Sequence, residues 1–239
     1  MEPSKESLKI KLFADGADLA GMIEMASKPF ISGLTTNPTL MKKVGITDYV
    51  KFAKQVLKEI TDKPISFEIF SDEIEEMKIQ GEKIASWGEN VYVKIPITNT
   101  KGQSTRKVIE HLVQRGGKVN VTALMTSQQV AQVVSSLDPK VPSCVSVFAG
   151  RIADTGRDPI EIMEVSLRHL SPNQNAELIW ASPRELLNVF QADKIGCHII
   201  TATTDILKKL DLIGTSLEEY SLETVKMFHN DAKLAGYQV

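Results

Sequence analysis

Cysteine is scarce in this 239-residue chain: only Cys144 and Cys197 occur, each inside an apolar run. Two thiols cannot build the disulfide framework of a small secreted domain; they read as small buried hydrophobes in a reducing compartment. An excess of charge of one sign is also missing, since 28 Lys and Arg against 30 Asp and Glu leave a net charge of −2. No global field draws such a chain to nucleic acid or to a membrane surface. No apolar run approaches the roughly 18 residues that read as a membrane span. The opening MEPSKESLKIKLF has no apolar stretch followed by a cleavage site. The expectation is a soluble cytoplasmic protein without nucleic-acid or membrane partners. Metal-ligand spacing is absent as well: His111, His169, His198 and His229 are scattered, and no Cys pair stands at finger spacing. His198, within GCHIIT, reads as a core residue, and neither a metal nor a cofactor is expected.

What the chain does have is ordinary globular composition, 42% hydrophobic and 24% charged. Apolar β-type runs recur near 9–14, 30–34, 64–69, 91–95, 118–122, 143–148, 177–181 and 196–201. Their starts are about 20 to 35 residues apart, the room that a strand plus a crossover helix requires. The segments between them carry helical spacing. After Thr126, a plausible N-cap, come Val130, Val133, Val134 and Leu137; between Asp48 and Ile60 come Tyr49, Ala53, Val56, Leu57 and Ile60. In 72–87 the stripe is Ile74, Met77, Gly81 and Ile84. Ser216-x-x-Glu219 opens a final helix over 216–235 that carries Leu217, Tyr220, Val225 and Phe228. Eight strands alternating with helices favour a single-domain (β/α)8 TIM barrel over 1–239 with an extra C-terminal helix. The competing open doubly wound sheet usually shows a glycine-rich phosphate loop after its first strand; here that strand ends FADGAD.

A barrel's active site lies at the C-terminal ends of its strands. The polar residues there are Asp15; Thr35, Thr36 and Asn37; Glu68; Lys94; Asn120 and Thr122; Ser146 with Arg151; and Ser182 with Arg184. Most have a plain alternative. Asp15 and Asn37 fit helix caps, Ser182 fits a cap before Pro183, the arginines fit solvated loops, and Thr122 is a good β-former. Glu68 and Lys94 are different because each stands inside an apolar strand of VYVKI or PISFEI type. A charge buried alone costs several kcal/mol, so the two either pair with each other or serve chemistry. Desolvation disfavours an ammonium, and the neutral amine is the form that attacks a ketone to give a Schiff base.

GLTTNPT at 33–39 and VYVKIPIT at 91–98 resemble the transaldolase family, particularly its short bacterial branch with the fructose 6-phosphate aldolases. VNVTAL at 119–124, SVFAGRI at 146–152 and WASPRE at 180–185 continue the likeness in the same order, from about residue 9 to the last helix. The resemblance implies an (α/β)8 barrel in which Lys94 is the Schiff-base lysine and Asp15 the general acid–base. It makes Glu68 and Thr122 the pair that positions a water, and Asn37, Asn120 and Ser146 the contacts to a dihydroxyacetone unit. Arg151 and Arg184, with Ser182 beside them, become the phosphate clamp. The implied activity is transfer of dihydroxyacetone between sugar phosphates. Glu68, Asn120 and Phe148 favour transfer; the alternative is a lyase releasing free dihydroxyacetone, whose branch carries Gln and Tyr at the first and last of these. Gly16, Pro183 and Arg157 depart from the family pattern around the mouth, so a non-phosphate sugar, for example a sulfonated one, is a further alternative. The resemblance also implies a ring-like homo-oligomer, a pentamer or decamer, held by the final helix.

Overall fold

The computed structural model describes Ser4 and residues 7–238. Eight parallel strands form a closed barrel in chain order, β1 pairing with β8. They are β1 Lys11–Asp15, β2 Ile31–Thr35, β3 Ile65–Glu68, β4 Val91–Pro96, β5 Val119–Leu124, β6 Ser143–Val147, β7 Ala176–Trp180 and β8 Ile199–Thr203. Around them lie α1 Leu19–Ala26, α2 Pro38–Lys43, α3 Tyr49–Glu59, α4 Ile74–Ala85, α5 Arg106–Val113 and α6 Ser127–Val134. The chain continues through α7 Ala149–Ala153, α8 Ile160–Leu170, α9 Leu187–Lys194, α10 Thr204–Lys208 and α11 Leu217–Leu234. This is the TIM barrel with a C-terminal helix that the alternation of strands and helices predicts. No helix among the described residues is long and apolar enough to cross a membrane.

The strands are apolar on both faces because both faces are covered. One set of side chains, with Val93, Val121, Val145 and Leu178 fully buried, packs against helix residues such as Val56, Met77, Leu112 and Val133. A smaller cluster of Phe13, Cys144, Ile179, Ala181 and Ile199 fills the barrel's interior, with Tyr92 and Phe148 against it. Gly33 makes that interior possible, since a Cβ there would lie 2.4 Å from the Phe13 ring. Both cysteines are free and buried, and burial pushes the Cys197 thiol up to about 12. They behave as the small hydrophobes that their apolar setting implies.

Helix starts follow the capping chemistry. Asp18, Asn37, Asp48, Thr126 and Ser216 each accept a hydrogen bond from a first-turn amide, and Thr126 with Gln129 completes a capping box. Two strands start two or three residues later than expected. The β1 ladder begins at Lys11 because the amides of Lys9 and Ile10 both donate to Asp193 Oδ1. β8 begins at Ile199 because Gly196, at φ 75°, and Cys197 still satisfy the carbonyls that end α9.

The opposite end of the barrel from the site is tied by Lys63. Its half-buried Nζ donates to the carbonyls of Ala26, Lys28 and Ile31, at 2.5, 3.3 and 2.7 Å. A cation there also complements the C-terminal end of α1. Lys63→Met is expected to lower unfolding stability by about 1.5–3 kcal/mol, the range for hydrogen bonds to a charged group. Urea denaturation of the two proteins checks it.

Candidate active site

Parallel register delivers the polar residues to one end. Glu68 pairs across with Lys94, Lys94 with Asn120, and Asp15 with both Thr35 and Thr203. A cleft of about 640 Å³ opens there, lined among others by Asp15, Asn37, Glu68, Lys94, Thr122 and Ser146. Arg151, Ser182 and Arg184 stand on the same cleft. Nine of the ten site residues expected from sequence therefore share it. The tenth, Asn120, is fully buried beneath: its Nδ2 donates to Ser66 Oγ at 2.9 Å, and its Oδ1 accepts from Ser146 Oγ at 2.7 Å. In this geometry Asn120 orients Ser146 from below.

Lys94 is 7% exposed, yet its amine is not buried alone. Nζ lies 3.2 Å from Glu68 Oε2 and donates to the Thr36 carbonyl at 2.9 Å. Glu68 both pairs with Lys94 and faces the cleft, so the ion pair lies beside open space rather than sealed in the core. A carboxylate within contact distance is a local proton acceptor for the amine. Glu68 is itself held by its backbone, whose carbonyl accepts from Tyr49 Oη at 3.0 Å.

Both oxygens of the half-buried Asp15 carboxylate are engaged. Oδ1 accepts from Thr35 Oγ1 at 2.8 Å and Oδ2 from Asn37 Nδ2 at 3.0 Å. Loss of hydration raises its pKa above the ordinary carboxylate value, against the opposing pull of Lys94 and of these two donors. Asn37 does two things at once: its Oδ1 caps α2 through the Leu40 amide at 2.9 Å while its amide nitrogen serves Asp15. The cap of α1 is Asp18, so Asp15 is free of that duty. The Thr122 hydroxyl is buried with no hydrogen-bond partner among the described residues, which leaves its bonding capacity for whatever occupies the cleft.

The distal wall is built on constrained backbone. Ser182, at φ 61°, does not cap a helix; α9 begins only at Leu187, and Asn188 Oδ1 takes the amides of Arg184 and Glu185 instead. Gly150, in the first turn of α7, is where the two walls meet. A Cβ on it would lie 1.6 Å from the Ser182 carbonyl oxygen, so no other residue fits without displacing that loop. Ala123, at φ 65°, sits at the irregularity between β5 and β6 and also lines the cleft. Two non-glycine residues in the left-handed region at one site are strain of the kind that functional sites hold. Arg184 Nε donates to Asp154 Oδ1 at 3.0 Å and Nη2 pairs with Oδ2, which holds the Asp154 carboxyl below its usual range. The Arg151 guanidinium lies 5.8 Å from the Phe148 ring centroid. Arg157 takes no part in the cleft and donates to Thr155 Oγ1 at 2.8 Å.

Thr201, Thr203, Asp205 and Ser66 escaped the sequence reading. Thr201 and Thr203 sit in a strand where Thr is an ordinary β-former, and nothing in spacing marks Ser66 as the partner of Asn120.

The model of the family described as Transaldolase/Fructose-6-phosphate aldolase matches residues 12–238. A probable transaldolase of Sulfurihydrogenibium sp. (strain YO3AOP1) is 33% identical over 204 residues, covering 84% of this chain and 88% of that protein. A probable transaldolase of Thermoanaerobacter sp. (strain X514) is 31% identical, covering 96% of this chain and all of that protein. In fold, the chain is similar to a HpcH/Hpal aldolase/citrate lyase family protein from Burkholderia cenocepacia J2315. There the TM-score is 0.59 at 12% identity, with 91% of this chain and 95% of that chain covered.

The raised pKa of Asp15 has a stability consequence. A carboxyl whose folded pKa lies above its unfolded value favours the protonated form on folding, so its contribution is lost as pH rises through the folded value. Ionised Asp15 thus works against folding at neutral pH. Asp15→Asn is expected to raise the melting temperature at pH 7–8 while turnover falls, and the gain should shrink as pH falls through the raised folded value toward the ordinary carboxylate range. Calorimetry across pH checks it; a melting temperature lowered equally at every pH would contradict it.

Proposed function

The chain belongs to the transaldolase/fructose-6-phosphate aldolase family, and from that premise we propose that it is a Schiff-base transaldolase. It moves a dihydroxyacetone unit from a ketose phosphate, fructose 6-phosphate or sedoheptulose 7-phosphate, to an aldose phosphate. The observation that carries this reading is Lys94 Nζ at the cleft floor, 3.2 Å from Glu68 and on the same cleft as Asp15.

Lys94 attacks the ketose C2, and Glu68 with Thr122 relays protons, through water, as carbinolamine becomes imine. The protonated imine draws electrons from the C3–C4 bond. Asp15 takes the proton of the C4 hydroxyl, the bond breaks and an aldehyde leaves. Asn37 and Ser146 hold the hydroxyls of the three-carbon enamine until a second aldehyde accepts it, whereupon Asp15 returns the proton. Arg151 and the remaining N–H groups of Arg184 face the distal phosphate, for which a planar guanidinium is well shaped. Phe148 supports transfer over release: it lines the cleft and has no hydroxyl to protonate the enamine.

Incubation with fructose 6-phosphate and borohydride should add a reduced dihydroxyacetone mass to Lys94 alone, as read by peptide mapping. Labelling elsewhere would refute the assignment. Erythrose 4-phosphate should then speed consumption of the ketose many-fold; equal rates with and without it would mean release of free dihydroxyacetone.

The same reading includes a homo-oligomer. No residue of α11 is buried, and Leu217, Phe228 and Leu234 are 85%, 62% and 87% exposed. An apolar helix face left so open is suited to a neighbouring subunit. A chain ending at Gly214 should scatter light as a smaller species than the full chain, and an unchanged mass would argue against that role.

A further inference from the structure

The hydrogen bonds around Asp15 can be oriented atom by atom. Thr35 Oγ1 carries one hydrogen and lies 2.8 Å from Asp15 Oδ1 and 2.6 Å from Thr201 Oγ1. When Asp15 is ionised that hydrogen must point at the carboxylate, which accepts only. Thr201 is then the donor to Thr35. Both threonines are nearly fully buried, at 2% and 7% exposure, and Thr201 still borders the cleft. Asn37 lacks this freedom. Its Oδ1 is committed to the Leu40 amide, so its nitrogen always donates to Asp15 Oδ2. Of the two carboxylate oxygens, Oδ1 is the one whose hydrogen-bonding neighbours among the described residues can turn.

We propose that Thr201 is a positioning residue, and that Thr35 and Thr201 form a rotatable hydroxyl chain that reverses direction each time Asp15 gains or loses a proton on Oδ1. In the ionised state Thr201 donates to Thr35 and Thr35 to Asp15. When Asp15 takes the substrate's hydroxyl proton, its new O–H donates to Thr35 Oγ1. The Thr35 hydrogen swings to Thr201 Oγ1, and the Thr201 hydrogen turns into the cleft. Neither threonine O–H bond breaks; the only proton that changes owner passes between the substrate oxygen and Asp15. Thr201 thereby gives Thr35 a partner in both states, which a buried hydroxyl requires. The proposal rests on Asp15 being the acid–base group. The charged groups that share its cleft are Lys94 from β4, Glu68 from β3, Asp205 from α10, Arg151 from α7 and Arg184 after β7.

The two threonines are expected to act with opposite sign. In Thr201→Val the ionised state keeps Thr35 pointed at Asp15, but the protonated state leaves the Thr35 donor buried and unpaired. Protonation is penalised, and the titration of Asp15 moves to lower pH. In Thr35→Val the carboxylate loses its Oδ1 donor, and the titration moves to higher pH.

The test is the pH profile of kcat/KM for transfer from fructose 6-phosphate to erythrose 4-phosphate. The limb belonging to Asp15 is the one that disappears in Asp15→Asn. It should move down by about one pH unit in Thr201→Val and up by a similar amount in Thr35→Val, the size expected from one unpaired buried group. In Thr201→Ser it should stay at the wild-type position. Unmoved limbs, or shifts of the same sign in the two valine variants, overturn the proposal. If Thr201→Val does not fold, Thr35→Val against Thr35→Ser decides: an upward shift in the first alone supports the chain, and no shift overturns it. A limb that survives in Asp15→Asn overturns both this proposal and the role of Asp15. Borohydride trapping at Lys94 with unmoved limbs in the threonine variants overturns this proposal alone.

Discussion

An ammonium group placed inside a parallel barrel strand is the constraint around which this molecule is organised. Lys94 sits between Val93 and Ile95, both fully buried, with 7% of its own surface exposed. Burying such a charge without compensation costs several kcal/mol. The barrel meets that cost with the Glu68 carboxylate from the adjacent strand and the Thr36 carbonyl just past β2, and it leaves the amine at the edge of a cleft. A purely structural ion pair has no need of an open mouth, a second half-buried carboxylate or an unpartnered buried threonine beside it. Their coincidence in one cleft is what supports the chemical reading proposed for the pair.

The remainder of the site is held by backbone as much as by side chains. The chain leaving β7 rests its Ser182 carbonyl against Gly150 of α7, a contact closed to any residue with a Cβ, and so fixes Arg184 relative to Arg151. Asp154 then sets the Arg184 fork. Asn37 follows β2, caps α2 and serves Asp15 with a single side chain. Because these groups sit on strand ends and tight turns, their positions are set by the barrel, the kind of preorganisation that electrostatic and acid–base chemistry demands. Around Asp15 the fixed partner, Asn37, and the rotatable partners, Thr35 and Thr201, divide the two carboxylate oxygens between them.

Much of this was legible in the sequence, and for identifiable reasons. Apolar runs alternating with helical stripes point to the barrel because strands apolar on both faces need cover on both. Lys94 and Glu68 stood out because charge inside an apolar strand is costly. The roles expected of Asp15, Asn37, Ser146 and the arginines rest on family motifs rather than on spacing; what the structure adds is that all of them line one cleft. What stayed hidden depends on strand register and backbone dihedrals. Asn120 lies below the cleft because its partners Ser66 and Ser146 come from strands on either side, separated by 54 and 26 residues. Thr201 meets Thr35 only because β8 closes onto β1. Ser182 reads as a cap before Pro183, yet a left-handed φ and contact with Gly150 carry it into the cleft wall. The final helix carries the expected apolar residues, and Leu217, Tyr220, Val225 and Phe228 among them are exposed.

Whether one covalent bond forms at Lys94 is the question on which the chemistry turns. Carbon-13 NMR of the protein with C2-labelled fructose 6-phosphate reads it directly, without a reductant. An imine or enamine resonance that couples to nitrogen-15 lysine in the native protein, and vanishes in Lys94→Met, is the predicted result. A labelled ketone that stays free in the native protein, or an adduct that persists in Lys94→Met, would contradict it.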